Sequence, residues 1–163
     1  MQASEDGGDV ALLPIVFFNR DYIEGLAQSI VEINRVVLLD KGFSPTVEHG
    51  DFTQEQFERV LSVLYPVFIE MFGSSPCERY EDIFDQVSVF AEHLAKDHIF
   101  TDGNKRTTVK VSLALLLKNG IVLDLVDSSD PEENEVYRWI ASVVEGAKTR
   151  EELADLLRKS AVF

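Results

Sequence analysis

Residues 98–107 hold the densest set of reactive side chains in the chain, and they read His98-Ile99-Phe100-Thr101-Asp102-Gly103-Asn104-Lys105-Arg106-Thr107. One imidazole, one carboxylate, a glycine turn and two cations are contained in this short stretch. If the stretch is a loop that enters a helix, these groups can act at one place. Their combination is typical of chemistry on phosphate groups.

The first half of this stretch can supply a base and a metal ligand. His98 can accept the proton of an attacking hydroxyl, because an imidazole has an unperturbed pKa of about 6.5. Asp102 follows four residues later and can hold a magnesium ion that bridges nucleotide phosphates. Phe100 is apolar within a polar run, which predicts that it fixes the loop to the core.

The second half of the stretch can form an anion site. Gly103 lets the backbone approach an oxyanion, and the amides of Gly103, Asn104 and Lys105 would lie at the positive end of the following helix. Lys105 and Arg106 add full charges, and the planar guanidinium matches phosphate oxygens. An Asp-Gly-Asn run is also ordinary turn chemistry. The complete order of residues, more than any one of them, favours the anion site.

These residues resemble the signature of the Fic/Doc (Fido) superfamily, whose common form reads His-Pro-Phe-x-Asp/Glu-Gly-Asn-Gly-Arg. Ile99 and Lys105 depart from that form and are similar to the Doc branch, the death-on-curing toxins, where the motif reads His-Ile-Phe-x-Asp-Ala-Asn-Lys-Arg-Thr. Gly103 remains Fic-like. The resemblance extends over about residues 80–161, whereas residues 15–79 match only in general layout.

The resemblance implies an all-α fold, a single-domain Fic/Doc helical bundle with a small β-hairpin flap. The expected domain spans residues 14–163 and follows a flexible N-terminal tail over residues 1–13. In the family, the flap holds target backbone beside the catalytic loop. Residues 36–52 are expected to form it, since Val36-Val37-Leu38-Leu39 and Thr46-Val47-Glu48 flank a turn-rich segment.

The resemblance also implies an enzyme that transfers a phosphate-containing group from ATP to a protein hydroxyl. His98 would be the base, Asp102 would hold Mg²⁺, and the turn Gly103-Asn104-Lys105-Arg106 would bind the nucleotide phosphates, with Arg106 also counted as catalytic. A lysine at position 105 fills the room in which ATP could expose its α-phosphate. Doc-like phosphorylation of a serine or threonine is therefore expected, and Gly103 leaves Fic-type AMP transfer as the alternative.

Partners and control are also expectations from the resemblance. A translation factor such as elongation factor Tu is the expected kind of protein substrate. Some Fic proteins carry an inhibitory Ser/Thr-x-x-x-Glu-Gly/Asn helix, but the nearest match here has Ala141 before Glu145-Gly146 and lacks the hydroxyl. The resemblance implies instead a Phd-like antitoxin. A catalytically idle, antitoxin-binding partner is the hypothesis from another class.

Composition limits the remaining possibilities. The 163-residue chain is 45% hydrophobic, enough for one domain with a real core. Its formal charge of −14 argues against direct binding of nucleic acid. Cys77 is the single cysteine, which suits a reducing cytoplasm. The acidic N-terminus differs from a secretory signal, and no apolar run approaches the length of about 20 residues needed to cross a membrane.

Hydrophobic periodicity predicts a mostly helical chain. Helices are expected over about residues 20–35 after an Asn19 cap, from a Thr53 capping box onward, over about 78–97, and over about 105–119 up to Gly120. Pro66 is expected to kink or split the second of these helices. Residues 121–125 are expected to be extended, and a helix around Trp139 and a last one from a Thr149 capping box complete the chain.

The other histidines and the cysteine have ordinary explanations. His93 lies five residues before His98, a spacing that does not place both imidazoles on one helix face as a metal-ligand pair. His49 lies in the expected flap and can either contact a target or be a simple surface residue. Cys77 follows a Ser-Ser-Pro segment that is expected to be a loop, and no partnered base is evident in the sequence for a catalytic thiol.

Overall fold

The computed structural model of the chain describes residues 12–40 and 49–163, with residues 49–53 described by their backbone alone. The described residues are mostly helical, so the predicted all-α class is confirmed. A 3-10 turn, Pro131–Glu133, precedes the sixth helix. The other elements are α1 (Arg20–Asp40), α2 (His49–Phe68), α3 (Pro76–Arg79), α4 (Ile83–Lys96), α5 (Asn104–Lys118), β1 (Val122–Leu123), α6 (Glu135–Val144), α7 (Arg150–Ser160) and β2 (Ala161–Val162).

Two hydrophobic clusters share α4 and α5. The first cluster joins α1 and α2 to one side of these helices, through residues such as Phe90 and Val111. The second cluster joins α6 and α7 to the other side, through residues such as Val87 and Val109. The predicted helix over about residues 105–119 is therefore confirmed, and it lies between the two clusters.

Several predicted helix ends are confirmed. The Asn19 side chain accepts a hydrogen bond from the Asp21 amide (2.7 Å) at the start of α1. Thr149 and Glu152 form the predicted capping box at the start of α7. Gly120 follows α5 with a φ of +79°, a conformation that glycine adopts without steric cost.

The predicted strand over Val36-Val37-Leu38-Leu39 is wrong, because these residues are the last turns of α1. Val37 completes a buried stripe at helical spacing that decides the conformation despite the β-branched residues. The stripe consists of Ile23, Ala27, Ile30, Asn34 and Val37. Of the expected hairpin flap, residues 41–48 lie outside the described residues, and residues 49–52 are helical.

The start of α2 and the effect of Pro66 also differ from expectation. The helix begins at His49, so Thr53 lies inside it and is not its N-cap. Pro66 does not split α2, which continues to Phe68. Proline removes one hydrogen bond of the helix, and the ladder resumes beyond it, since the Ile69 amide donates to the Tyr65 carbonyl oxygen at 3.2 Å.

The single helix expected over residues 78–97 is two helices. Ser75 and Glu78 form a capping box at the start of the short α3. The longer α4 starts after Asp82, whose side chain accepts a hydrogen bond from the Asp85 amide (3.0 Å). Each start has its own cap, so the chain forms two separate helices although the apolar stripe predicted one.

A two-stranded antiparallel sheet joins the end of α5 to the C-terminal segment. Val122 pairs with Val162, and Leu123 pairs with Ala161. Of residues 121–125, which were expected to be extended, Val122 and Leu123 are thus confirmed as a strand. Across the described part of the chain, no helix combines the length and the apolar character needed to cross a membrane.

An ion pair fastens α7 to the start of α4. The guanidinium of Arg158 donates to both carboxylate oxygens of Asp82, from Nε at 2.7 Å and from Nη2 at 3.0 Å. Burial raises the pKa of Asp82, but the hydrogen bonds from Arg158 and from the amides of Asp85 and Phe84 outweigh this effect and leave the pKa lowered. The carboxylate is therefore more stable in the folded chain than in the unfolded chain.

Arg158→Ala is expected to lower the free energy of unfolding at pH 7 by about 1–2 kcal/mol, because a partly exposed bidentate pair is lost. A lowered folded-state pKa stabilises the protein above the unfolded value of about 3.9, and this contribution disappears as pH falls through the folded value. The difference from the unchanged protein should therefore shrink in acid. Urea unfolding at several pH values measures it, with the exposed neighbour Lys159→Ala as the control.

Candidate active site

The loop between α4 and α5 carries His98 in an unusual backbone conformation. His98 has a φ of +51°, in the left-handed region that costs a non-glycine residue about 1–2 kcal/mol. Its side chain is exposed, whereas the next two residues, Ile99 and Phe100, are buried in the first hydrophobic cluster. The prediction that Phe100 fixes the loop to the core is confirmed. The imidazole is presented to solvent on a loop that is anchored directly behind it.

The side chain of Asn104 closes this loop onto α5. Its Oδ1 accepts a hydrogen bond from the Phe100 amide, and its Nδ2 donates to the Phe100 carbonyl oxygen, both at 3.0 Å. The carboxamide thus makes the two bonds that a β-strand neighbour would make. Asn104, expected to bind nucleotide, uses its side chain to shape the loop, and its backbone amide lies in the first turn of the helix.

Gly103 is the N-cap of α5 and has a φ of +74°. A β-carbon at this position would lie 3.0 Å from Cγ1 of Val37 and 3.2 Å from Nδ2 of Asn34, so a side chain would fit only if these groups of α1 shifted slightly. No side chain caps the helix at Gly103. The N-cap residue therefore contributes no side-chain acceptor to the first amides of α5, an arrangement that suits an anion, although the amide of Gly103 itself donates to Asp102.

Asn34 on α1, which was not among the residues expected from the sequence, fixes the entry into α5. Its buried Nδ2 donates to the carbonyl oxygen of Asp102 (2.9 Å) and to Oγ1 of Thr107 (3.1 Å). Asn34 is the polar member of the buried stripe of α1. A polar residue on an apolar helix face was the available signal, but the sequence could not indicate its partners.

Asp102 is half-buried at the end of the loop. Its Oδ1 accepts a hydrogen bond from the amide of Gly103 at 2.7 Å. Among the residues that the structure describes, no group of three or more potential metal-ligating side chains occurs. Mg²⁺ is commonly held by one or two carboxylates together with water and phosphate oxygens, and Asp102 could supply such a carboxylate.

Lys105 and Arg106 make the start of α5 positive. The first turn of α5 contains no acidic residue, although acidic residues are favoured there by the helix dipole. Both cations are half-buried, and neither forms an ion pair with a side chain of residues 12–40 or 54–163. In a chain of net charge −14, this turn is a local positive site. An anion placed there would gain two charges and the helix amides at once.

The structure places all six expected site residues on one continuous segment, the loop before α5 and the first turn of that helix. His98 and Asp102 lie in the loop, Gly103 begins the helix, and residues 104–106 form its first turn. The bonds between Asn104 and Phe100 bring the two parts together. The imidazole of His98 and the cations of Lys105 and Arg106 thus belong to one short, closed segment of the chain.

The other candidate residues lie apart from this turn or have structural roles. His93 is exposed on α4, and its Nδ1 lies 3.3 Å from Oδ2 of Asp97. Cys77 is exposed and lies in α3 instead of the expected loop. Gly146 has a φ of +81° at the end of α6, so Glu145-Gly146 is a helix end. The side chain of His49 lies outside the described residues.

Comparison with known proteins identifies a family match over this region. A model of the Fic/DOC family matches residues 23–116, more than half of the chain. The matched region includes almost all of α1, the loop with His98 and most of α5. No curated protein matches the chain.

Proposed function

Because this chain belongs to the Fic/DOC family of transferases, we propose that it transfers the γ-phosphoryl group of ATP to a serine or threonine hydroxyl of a protein. One observation carries the proposal. An exposed imidazole lies on the loop that leads into a helix start with two cations, no acidic residue and no side-chain cap. This start suits the phosphates of ATP, and the imidazole suits the hydroxyl that attacks them.

The proposed reaction is an in-line displacement at phosphorus. His98 accepts the proton as the hydroxyl oxygen forms its bond to the γ-phosphorus, and the bond to the bridging oxygen of ADP breaks with its electron pair on that oxygen. Lys105 and Arg106 stabilise the charge that develops on the phosphate oxygens. Asp102 would hold Mg²⁺, which supplies charge neutralisation between phosphates when it is bound.

Lys105 supports phosphoryl transfer over AMP transfer. In the Fic form of the motif this position is glycine, which leaves room for ATP to expose its α-phosphate. Lys105 occupies the first turn of α5, where its side chain would fill that room. The chain is in this respect similar to the Doc branch.

AMP transfer is the second candidate, and Gly103 is the residue that favours it. Gly103 matches the Fic form of the motif, whereas the Doc form has alanine. The packing of Gly103 gives this residue a separate explanation, since a β-carbon would approach Val37 to 3.0 Å. The close approach of α1 and the φ of +74° both favour glycine at this position, so Gly103 weighs little on the choice of phosphate.

The family resemblance extends the proposal to partners. The proposed substrate is a translation factor such as elongation factor Tu, and the proposed regulator is a Phd-like antitoxin, both in the cytoplasm. The acidic surface suits a protein partner with basic residues better than nucleic acid. An idle, antitoxin-binding role is the competing proposal, and it leaves the set of His98, Asp102 and Arg106 unexplained.

Isotope labelling separates these functions. Purified protein is incubated with Mg²⁺ and a cell lysate, together with ATP labelled at either the α- or the γ-phosphate. Label on a protein from the γ position alone is the expected result. Label from the α position alone would replace phosphoryl transfer by AMP transfer. Absence of both, with antitoxin binding retained, would support the idle role.

A further inference from the structure

We propose that Arg59 is a positioning residue that holds the backbone on both sides of His98. Its Nη2 donates to the carbonyl oxygen of Asp97 at 3.0 Å, and its Nη1 donates to the carbonyl oxygen of Ile99 at 3.3 Å. The two acceptors belong to the residues immediately before and after His98. The consequence for catalysis rests on the proposed function, whereas the effect on the loop does not.

The backbone at His98 needs such support. A φ of +51° is unfavourable for histidine, which would otherwise adopt the right-handed or extended region. On one side, the Asp97 amide completes the end of α4 by donating to the His93 carbonyl oxygen. On the other side, Ile99 is buried. The peptide units between these anchors can still rotate, and such rotation would carry the imidazole away from the start of α5.

Arginine is well suited to this role. A guanidinium presents several N–H groups in a rigid plane, so it can reach two carbonyl oxygens at once, whereas a lysine ammonium is a single point. Arg59 itself lies on α2 beside Val60, which is fully buried in the first hydrophobic cluster. The guanidinium is therefore carried by a part of the fold that is fixed by packing.

The same cleft contains two other arginines, and they have different partners. The cleft has a volume of about 480 Å³ and lies between α2, α4 and the segment that leads into His98. Arg79 donates to carbonyl oxygens near the end of α2, including that of Ile69 (2.9 Å). Arg150 pairs with Glu92 at 3.1 Å. Of the arginines in this cleft, Arg59 is the one that bonds to the residues flanking His98.

The cleft also provides a chemical test. Arg59→Ala would leave a space that opens into the cleft, and a small guanidinium ion can enter that space and bond to the same two carbonyl oxygens. Arg150→Ala is the matched control, because it removes the same charge from the same cleft without touching the loop. Arg59→Lys keeps the positive charge but removes the planar guanidinium that can reach two carbonyl oxygens at once.

The experiment measures the loop and the reaction separately. In Arg59→Ala, the backbone amide resonances of residues 97–99 should shift and broaden, and kcat should fall about 10- to 100-fold while KM for ATP changes by less than about twofold. Ethylguanidinium should restore the resonances and kcat. Arg59→Lys should remain impaired, and Arg150→Ala should match the unchanged protein. Thermal unfolding of every variant verifies that it is folded.

The results that overturn the proposal are distinct from failure of the proposed function. Unchanged resonances in Arg59→Ala, or an equal effect in Arg150→Ala, would remove the positioning role. Loss of kcat that ethylguanidinium fails to restore would assign Arg59 a general structural role. If the unchanged protein transfers no group from ATP, the function fails, and the resonances alone decide whether Arg59 holds the loop.

Discussion

His98→Ala is expected to lower kcat of the proposed transfer by about 10²- to 10⁴-fold, the usual contribution of a general base. The hydroxyl nucleophile would then have to lose its proton to water. KM for ATP should change little, because the expected phosphate contacts come from the start of α5 and not from the imidazole. Steady-state kinetics with labelled ATP and a protein acceptor measure both quantities.

The structure makes this variant informative. The His98 side chain is exposed, so little packing is lost, and alanine also carries a β-carbon, so its cost at a φ of +51° is similar although histidine is more frequent there. The free energy of unfolding should therefore stay within about 0.5 kcal/mol of the unchanged protein. His93→Ala is the matched control, since it removes an exposed imidazole from the same region. Full activity in His98→Ala, or equal loss in His93→Ala, would contradict the role as base.

The candidate site could be predicted from sequence because it is local. His98, Asp102 and the turn that follows lie within a single loop and helix start, so their order along the chain nearly specifies their arrangement. Phe100 was expected to anchor the loop for the same reason. Helices with a regular apolar stripe and a capping box, such as α7, could be predicted from the sequence equally well.

The supports of the site could not be predicted, because they come from distant parts of the chain. Asn34 and Asp102 are 68 residues apart, and Arg59 and Asp97 are 38 residues apart. An asparagine on an apolar helix face, such as Asn34, can be recognised as unusual in a sequence, whereas Arg59 has no such signal. The acceptors of their hydrogen bonds depend on how α1 and α2 pack against the loop.

The incorrect strand at the end of α1 has a related cause. Val36-Val37-Leu38-Leu39 favours a strand by local propensity. In the folded chain Val37 belongs to the buried face of α1. Its Cγ1 lies where a β-carbon on Gly103 would approach it to 3.0 Å. Tertiary packing thus overrides propensity at the same place where α1 meets the start of α5. Gly103 of the motif and Val37 at the helical end of α1 thus belong to the same contact between α1 and α5.

Arg106→Ala is expected to lower kcat by about 10²- to 10³-fold, as is usual when one preorganised donor to a developing charge is removed. Arg106 lies in the first turn of α5, where the helix dipole adds to its charge and no acidic neighbour in that turn offsets it. Arg106→Lys keeps the charge and loses the planar fork, so its kcat should be intermediate. Kinetics at saturating ATP measure these differences.

Lys110 on the same helix provides the control for Arg106. It lies just beyond the first turn of α5 and its side chain is exposed, so Lys110→Ala removes one positive charge from α5 without removing a donor from the first turn. Its kcat should stay within about twofold of the unchanged protein, because exposed charges act weakly through water and salt. Similar losses in Lys110→Ala and Arg106→Ala would mean that net positive charge, and not a directed contact from the first turn, assists the reaction. A large loss in Arg106→Ala alone, with partial recovery in Arg106→Lys, would locate the developing phosphate charge at the start of α5.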